Sequence, residues 1–300
     1  MAIVEGGRTT HTTLECRAVA PSLRFYREVM GLRVHQPMAG VGHLMDSKGH
    51  YAAVLQKSRP GPQPFLNFYA RPVATAADVD AIHARIAAVC DDYQITELTE
   101  PEVEDPRRFG VASYGFYLTD LDGNRWRVED NRGPFGPIEL PANAAPPTSI
   151  VPAGPISYVM LESRALAVTM RCYRDLLGLD VAVDPVAPHV CRVSDAHAIV
   201  RVLAVDVGDR VVPQGVANHH GITLEVASEH GGVERIDALR ARIHALAGEF
   251  GLLKVFSPTH QHGSYAFYLQ DADTNCWEIE TWDRGASFVH ASIEAGAAHA

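Results

Sequence analysis

Residues 113–126 read SYGFYLTDLDGNRW, and residues 264–277 read SYAFYLQDADTNCW, the same pattern 151 positions further on. A second block recurs in the same order: RFYREVMGLRV at 24–34 returns as RCYRDLLGLDV at 171–181, offset by 147. Two blocks that recur in order at nearly one offset indicate a duplicated unit, and a duplicated unit must fold twice. The repeat divides the chain into a first domain over 1–133, a proline-rich linker over 134–155, a second domain over 156–285 and a frayed tail over 286–300. The segment PFGPIELPANAAPPTSIVPAGP is read as linker because proline removes backbone donors and favours extended chain.

Each half subdivides again. His11 to Cys16 has the alternation of a strand, and Leu23, Tyr26 and Met30 have helical spacing with Gly31 as the stop. Strands are expected near 32–36, 42–46 and 51–56. A further strand at 65–70, a helix at about 75–90 and a hairpin at 113–119 and 125–130 complete the half, with Asp122-Gly123-Asn124 as the turn. The second half reads likewise: strand 156–161, helix 165–177, and strands near 179–183, 190–194 and 198–204. Strand 220–227, helix 232–247 and strands 252–256, 264–270 and 276–282 follow. The order strand–helix–strand–strand–strand occurs four times, an α+β fold of four βαβββ modules in two tandem pairs.

Composition narrows the partners. The formal charge is −10 and 47% of residues are apolar. A phosphate backbone or an anionic membrane needs a basic face, so neither is the expected partner. No apolar run approaches the roughly 18 residues that span a bilayer. Met1 to Gly7 carries Glu5 and no apolar stretch of the secretory kind, and the five cysteines fall at no metal-site spacing. A cytoplasmic protein with reduced cysteines is expected.

FYREVMGL and CYRDLLGL resemble the helix-end pattern Phe-Tyr-x-x-x-Leu-Gly-Leu of the vicinal oxygen chelate superfamily, the fold of glyoxalases and extradiol ring-cleaving dioxygenases. FYLQDADTNCWE resembles the extradiol signature Phe-Tyr-x-x-Asp-Pro-x-Gly followed by Glu, with Ala272 in place of Pro and Thr274 in place of Gly. The resemblance covers about residues 8–285. It implies metal ligands early in a module's first strand and at a Glu in a module's last strand. Those positions hold His11 in module one, Tyr158 in module three, and Asn218-His219-His220-Gly221 in module four. The matching stretch of module two, FLNFYA, has no histidine, and the last-strand position is Arg127 in module two and Glu278 in module four.

Neither half completes a site alone. The resemblance implies His11, His220 and Glu278 as ligands joining the first module to the fourth, as in dioxygenases of the hydroquinone type. Two imidazoles and a carboxylate suit Fe(II), with Mn(II) as the alternative, because they hold one face of the octahedron and leave the rest open. Adjacent strand residues face opposite sides, so His219 is expected to support the site or move a proton. Thr13 shares a face with His11 and is a candidate to bond substrate or water. Tyr268, ten residues before Glu278, stands where extradiol enzymes meet a substrate hydroxyl, although its counterpart Tyr117 sits where no site is complete. His260 and His262, in the loop HQHGS, are candidate proton shuttles. Arg127 and Glu129 read as a surface or interface network.

The function implied is an Fe(II)-dependent extradiol-type dioxygenase acting on a small aromatic diol with O2, self-associating like its relatives. The alternatives are a non-redox lyase or isomerase of the glyoxalase type and a metal-free binding protein of the bleomycin-resistance type.

Overall fold

The computed structural model describes residues 2–46, 51–61, 63–110, 112–141, 149–194, 201–224, 231–261 and 264–282. Module one comprises β1 (Gly7–Cys16), α1 (Val19–Glu28), β2 (Arg33–Met38), β3 (Val41–Met45) and β4 (Tyr51–Lys57). Module two comprises β5 (Phe68–Val73), α2 (Ala76–Ala87), the short β6 (Glu97–Leu98) and β7 (Glu102–Val103), α3 (Pro106–Phe109), β8 (Tyr114–Thr119) and β9 (Arg125–Asp130). Module three comprises β10 (Tyr158–Ser163), α4 (Leu166–Arg171), β11 (Asp180–Val183), β12 (Val190–Ser194) and β13 (Arg201–Asp206). Module four comprises β14 (His219–Leu224), α5 (Gly231–Ala245), β15 (Lys254–Val255), β16 (Thr259–Gln261), β17 (Ser264–Gln270) and β18 (Cys276–Trp282). The βαβββ order holds, except that the first strand after the helix is split in two in modules two and four. The strand expected at 65–70 begins three residues later. Residues 225–227 and 262, the middle of the linker and the tail lie outside the described residues.

The strands form two sheets, and each draws on both halves of the chain. One runs β15-β17-β18-β14-β1-β4-β3-β2 with β16 also on β17, and the other runs β11-β12-β13-β10-β5-β9-β8-β6 with β7 on β8. The first module therefore meets the fourth, and the second meets the third. The joins are antiparallel: β1 on β14, and β10 on β5. The expected boundary at 134–155 separates two sequence copies but not two sheets.

One face of each sheet packs with the helices into a shared core. Leu14, Phe25, Tyr26, Trp126, Leu161, Tyr173, Ile222, Trp277 and Ile279 all belong to it, none more than 2% exposed. The other face of each sheet, turned away from this core, is its cup face. The copies brace the helices reciprocally. Ile3 and Val4 donate backbone hydrogen bonds to Asp175 and Leu176, while Ile150 and Val151 donate to Glu28 and Val29. Gly178 and Gly31, both at positive φ, lie under the carbonyls of Val4 and Val151, where a Cβ would sit 2.2 Å from the oxygen. The pair Ile150-Val151 thus repeats Ile3-Val4, so the second copy begins inside the stretch read as linker.

The hairpin turns also match. Asp120 accepts the backbone N–H of Asp122 and Asn124 and the hydroxyl of Tyr26; Asp271 does the same for Asp273, Asn275 and Tyr173. Thr274 takes φ +67 where the first copy has Gly123 at φ +95. Its hydroxyl accepts the N–H of Gln214 at 2.8 Å, which offsets part of the strain of a left-handed threonine.

Candidate metal centre

Strand register decides which side chains enter the first sheet's cup. His11 on β1 pairs with Gly221 on β14, and Gly221 pairs with Glu278 on β18, which pairs with Tyr268 on β17. Alternation then places His219 on the cup face and His220 on the core face. His11 Nε2 and His219 Nε2 lie 3.2 and 3.1 Å from the same oxygen, Glu278 Oε2. His11, His219 and Glu278 offer three ligand atoms all within 4.8 Å of one another, on side chains nearly closed to solvent.

The expectation for His220 is corrected here. Its ring packs on Trp277 at 5.5 Å, and neither ring nitrogen has a hydrogen-bond partner. Burial, with smaller contributions from the charges of His219 and His11, lowers its pKa to about 3, so it is a neutral core residue. The counterpart of β14 in the second sheet explains why. Asn218-His219-His220-Gly221 corresponds to Asn67-Phe68-Tyr69-Ala70, and Tyr69 packs on Trp126 at 5.1 Å as His220 does on Trp277.

Several neighbours hold the cluster. His219 Nδ1 lies 2.9 Å from the carbonyl of Val216, which makes it an N–H and leaves Nε2 as the atom that faces Glu278. Thr13 Oγ1 is 2.9 Å from that Nε2, so Thr13 contacts the cluster itself. The Tyr268 hydroxyl donates to Glu278 Oε1 at 3.0 Å, and its ring stands edge-on to His219 at 4.9 Å. Gly221 is required by close approach: a Cβ there would meet the His11 ring at 2.1–2.6 Å. Burial alone would raise the Glu278 carboxyl, but hydrogen bonds from His11 and His219 outweigh it and hold the group well below the usual range. Burial would lower His11, and Glu278 and Glu280 together reverse that and raise it.

Glu280 was not among the residues singled out from sequence. It is buried, 2% exposed, on the same face of β18. Two carboxylates and two imidazoles thus share one closed space. Buried like charges are costly unless a cation balances them, so the donor set fits a divalent ion held by His11, His219 and Glu278.

His260 does not reach this cluster. It pairs with Tyr265 on β17 and stacks on that ring at 4.5 Å, and Tyr265 bonds Asp237 of α5 on the helix side of the sheet. His262 lies outside the described residues.

Among the described residues, the second cup holds no such set. Tyr158, Phe68, Ala70 and Arg127 stand where the first has His11, His219, Gly221 and Glu278. Arg127 donates to Glu129 at 2.9 Å, Glu104 at 3.1 Å and the carbonyl of Ser113 at 3.2 Å. Arg127 is 1% exposed and Glu129 is 0%, so this is an interior ion network, not the surface one expected. Phe68, Phe109, Tyr117, Tyr158 and Met160 fill the space around it.

Two nine-stranded sheets of βαβββ modules define the vicinal oxygen chelate fold. No protein-family model and no curated protein matches the sequence. Among solved structures, the chain is similar to a candidate dioxygenase from Bacillus subtilis subsp. subtilis str. 168 at TM-score 0.60 and 14% identity, over 98% of this chain and 91% of that one. It is similar to glyoxalase I from Zea mays at TM-score 0.57 and 12% identity, over 97% of this chain and 95% of that one. No helix among the described residues is long and apolar enough to cross a membrane.

Proposed function

We propose that the chain is a metal-dependent enzyme in which His11, His219 and Glu278 hold Fe(II), and that it opens a dihydroxylated aromatic ring with O2. One observation carries this reading: two imidazole nitrogens and a carboxylate converge from three strands of two different modules. Such a set binds one face of an octahedral ion. Fe(II) bound there would supply open positions for a chelating diol and for O2. The chain's own part is to position and to manage protons. Val216 and Thr13 fix the His219 ring, and Gly221 gives His11 its space. Tyr268 is the candidate proton-holding group, because its hydroxyl reaches Glu278 and its ring is only partly buried.

A second reading is a non-redox lyase or isomerase using Mn(II). It draws support from the likeness to glyoxalase I and from the second buried carboxylate, Glu280. The two separate cleanly. Protein loaded anaerobically with Fe(II) is given a panel of catechols and hydroquinones, and O2 uptake and coloured ring-fission products are followed. Ring fission that disappears in Glu278→Gln supports the dioxygenase. Turnover of a hemithioacetal by the Mn(II) protein without O2 uptake supports the second reading. Wild-type protein that binds no divalent metal sinks both.

A further inference from the structure

We propose that Glu280 acts as a positioning residue for the metal centre, through the hydroxyls of Thr223 and Thr10, by fixing which nitrogen of His11 is bare. This rests on the reading of His11 as a ligand. Counting protons along the chain of contacts gives the direction. Thr223 Oγ1 donates its one proton to Glu280 Oε1 at 2.6 Å. It can therefore only accept from Thr10 Oγ1, which lies 2.8 Å away. Thr10 has then spent its proton on Thr223, a shorter contact than the 3.4 Å to the Gly221 carbonyl. Its oxygen can only accept from His11 Nδ1 at 3.1 Å. Nδ1 must carry a hydrogen; Nε2 faces the Glu278 carboxylate at 3.2 Å and is the nitrogen that gives up its proton to offer a lone pair to a metal.

Glu280 is the terminus that sets this direction. A carboxylate accepts and never donates, so the relay cannot run the other way. Glu280 Oε1 is also 3.7 Å from His11 Nδ1, close enough to favour a partial positive charge on that ring. Ser264 supplies a further hydrogen bond that holds the carboxylate.

The second cup gives an independent comparison. Glu129 and Ser113 stand where Glu280 and Ser264 do, but Pro72 replaces Thr223 and Ser157 replaces Thr10. Proline has no hydroxyl, so the relay is broken in the copy whose first ligand position is Tyr158. There the carboxylate is bound by Arg127 and Ser113 instead. The relay and the histidine it serves are present together in one cup and absent together from the other.

The test compares Thr10→Val, Thr10→Ser, Glu280→Gln and wild type in the full chain. Two readouts are needed. Co(II) affinity is measured by chelator competition, and which His11 nitrogen keeps its hydrogen is read from imidazole 15N shifts of the Zn(II)-loaded protein. Thr10→Val is expected to weaken Co(II) binding about 10- to 100-fold, the usual range for lost support of a ligand histidine. It should also shift the His11 signals away from the pure Nδ1–H form. Thr10→Ser restores both. Glu280→Gln, which can reverse the relay by donating, gives a mixed tautomer. Unchanged tautomer and affinity in Thr10→Val and Glu280→Gln would overturn the proposal. Wild-type protein that binds neither Co(II) nor Zn(II) would overturn the metal reading, and the proposal that rests on it.

Discussion

The imidazole of His11 lies against the α-carbon of Gly221, so close that a methyl group there would sit 2.1 Å from its Cε1. The glycine is part of the centre although it offers no ligand atom. Gly221→Ala should fold, because the extended strand suits alanine, but it should push His11 aside. A loss of at least tenfold in divalent-metal affinity is expected, by the same displacement logic that governs ligand support. Isothermal titration with Co(II) checks it; undiminished affinity refutes the close-packing account.

The adjacent histidines should separate in opposite directions. His219→Ala is expected to abolish metal uptake. His220→Phe should leave metal content at wild-type level and stabilise the fold by about 1 kcal/mol, because it removes two buried ring nitrogens that have no partner. Metal analysis and urea unfolding of both variants decide between the two assignments.

Arg127 predicts a stability effect with no metal effect. Arg127→Met leaves Glu104 and Glu129 facing each other in the second cup, and breaking one side of a buried ion pair costs about 3–5 kcal/mol. Metal stoichiometry should remain one per chain. A second equivalent bound by the wild-type protein would contradict the division of labour between cups.

Asp120 and Asp271 give a pH dependence. Burial pushes each up to about 6, against hydrogen bonds that lower it. A carboxyl whose folded pKa is raised favours folding fully below its unfolded value near 4, and that contribution is lost as pH rises through about 6. Wild-type protein should therefore lose roughly 2 kcal/mol per aspartate between pH 4 and 7 relative to the double variant Asp120→Asn/Asp271→Asn. Urea midpoints at several pH values measure the difference; parallel profiles for the two proteins would exclude it.

The sheet order predicts how the chain divides. Fragments 2–141 and 149–282 each lack a partner for a central strand, since β1 needs β14 and β5 needs β10. Co-expressed, they should form a one-to-one complex that binds metal. Alone, each should aggregate or swap into dimers. A stable, metal-binding monomer of either fragment would show the sheets to be less interdependent than their register implies.

The duplication made most of the fold legible, because SYGFYL and SYAFYL fix two equivalent hairpins and FYREVMGL and CYRDLLGL fix two equivalent helix ends. His11 and Glu278 were readable as a cross-half pair for the same reason. The choice between His219 and His220 needed a finer alignment. Asn67-Phe68-Tyr69-Ala70 carries the signal, since Tyr69 marks the core-facing position that His220 repeats. The facing of His260 was not legible, because it depends on the pairing of a three-residue strand with β17. Nor was the role of Glu280, because a proton relay across β1, β14 and β18 has no trace in the spacing of any one strand.

The Arg127–Glu129–Glu104 network bears on how a duplicated chain can change. In an assembly of two identical subunits, symmetry copies every substitution into both active sites, so losing one site means losing both. Joining the copies in one polypeptide removes that constraint. Here a guanidinium, covalently attached and permanent, provides in one cup the positive charge that the proposed ion would provide in the other. One half is thereby released to drift toward a purely architectural role, while selection for chemistry acts on the other alone.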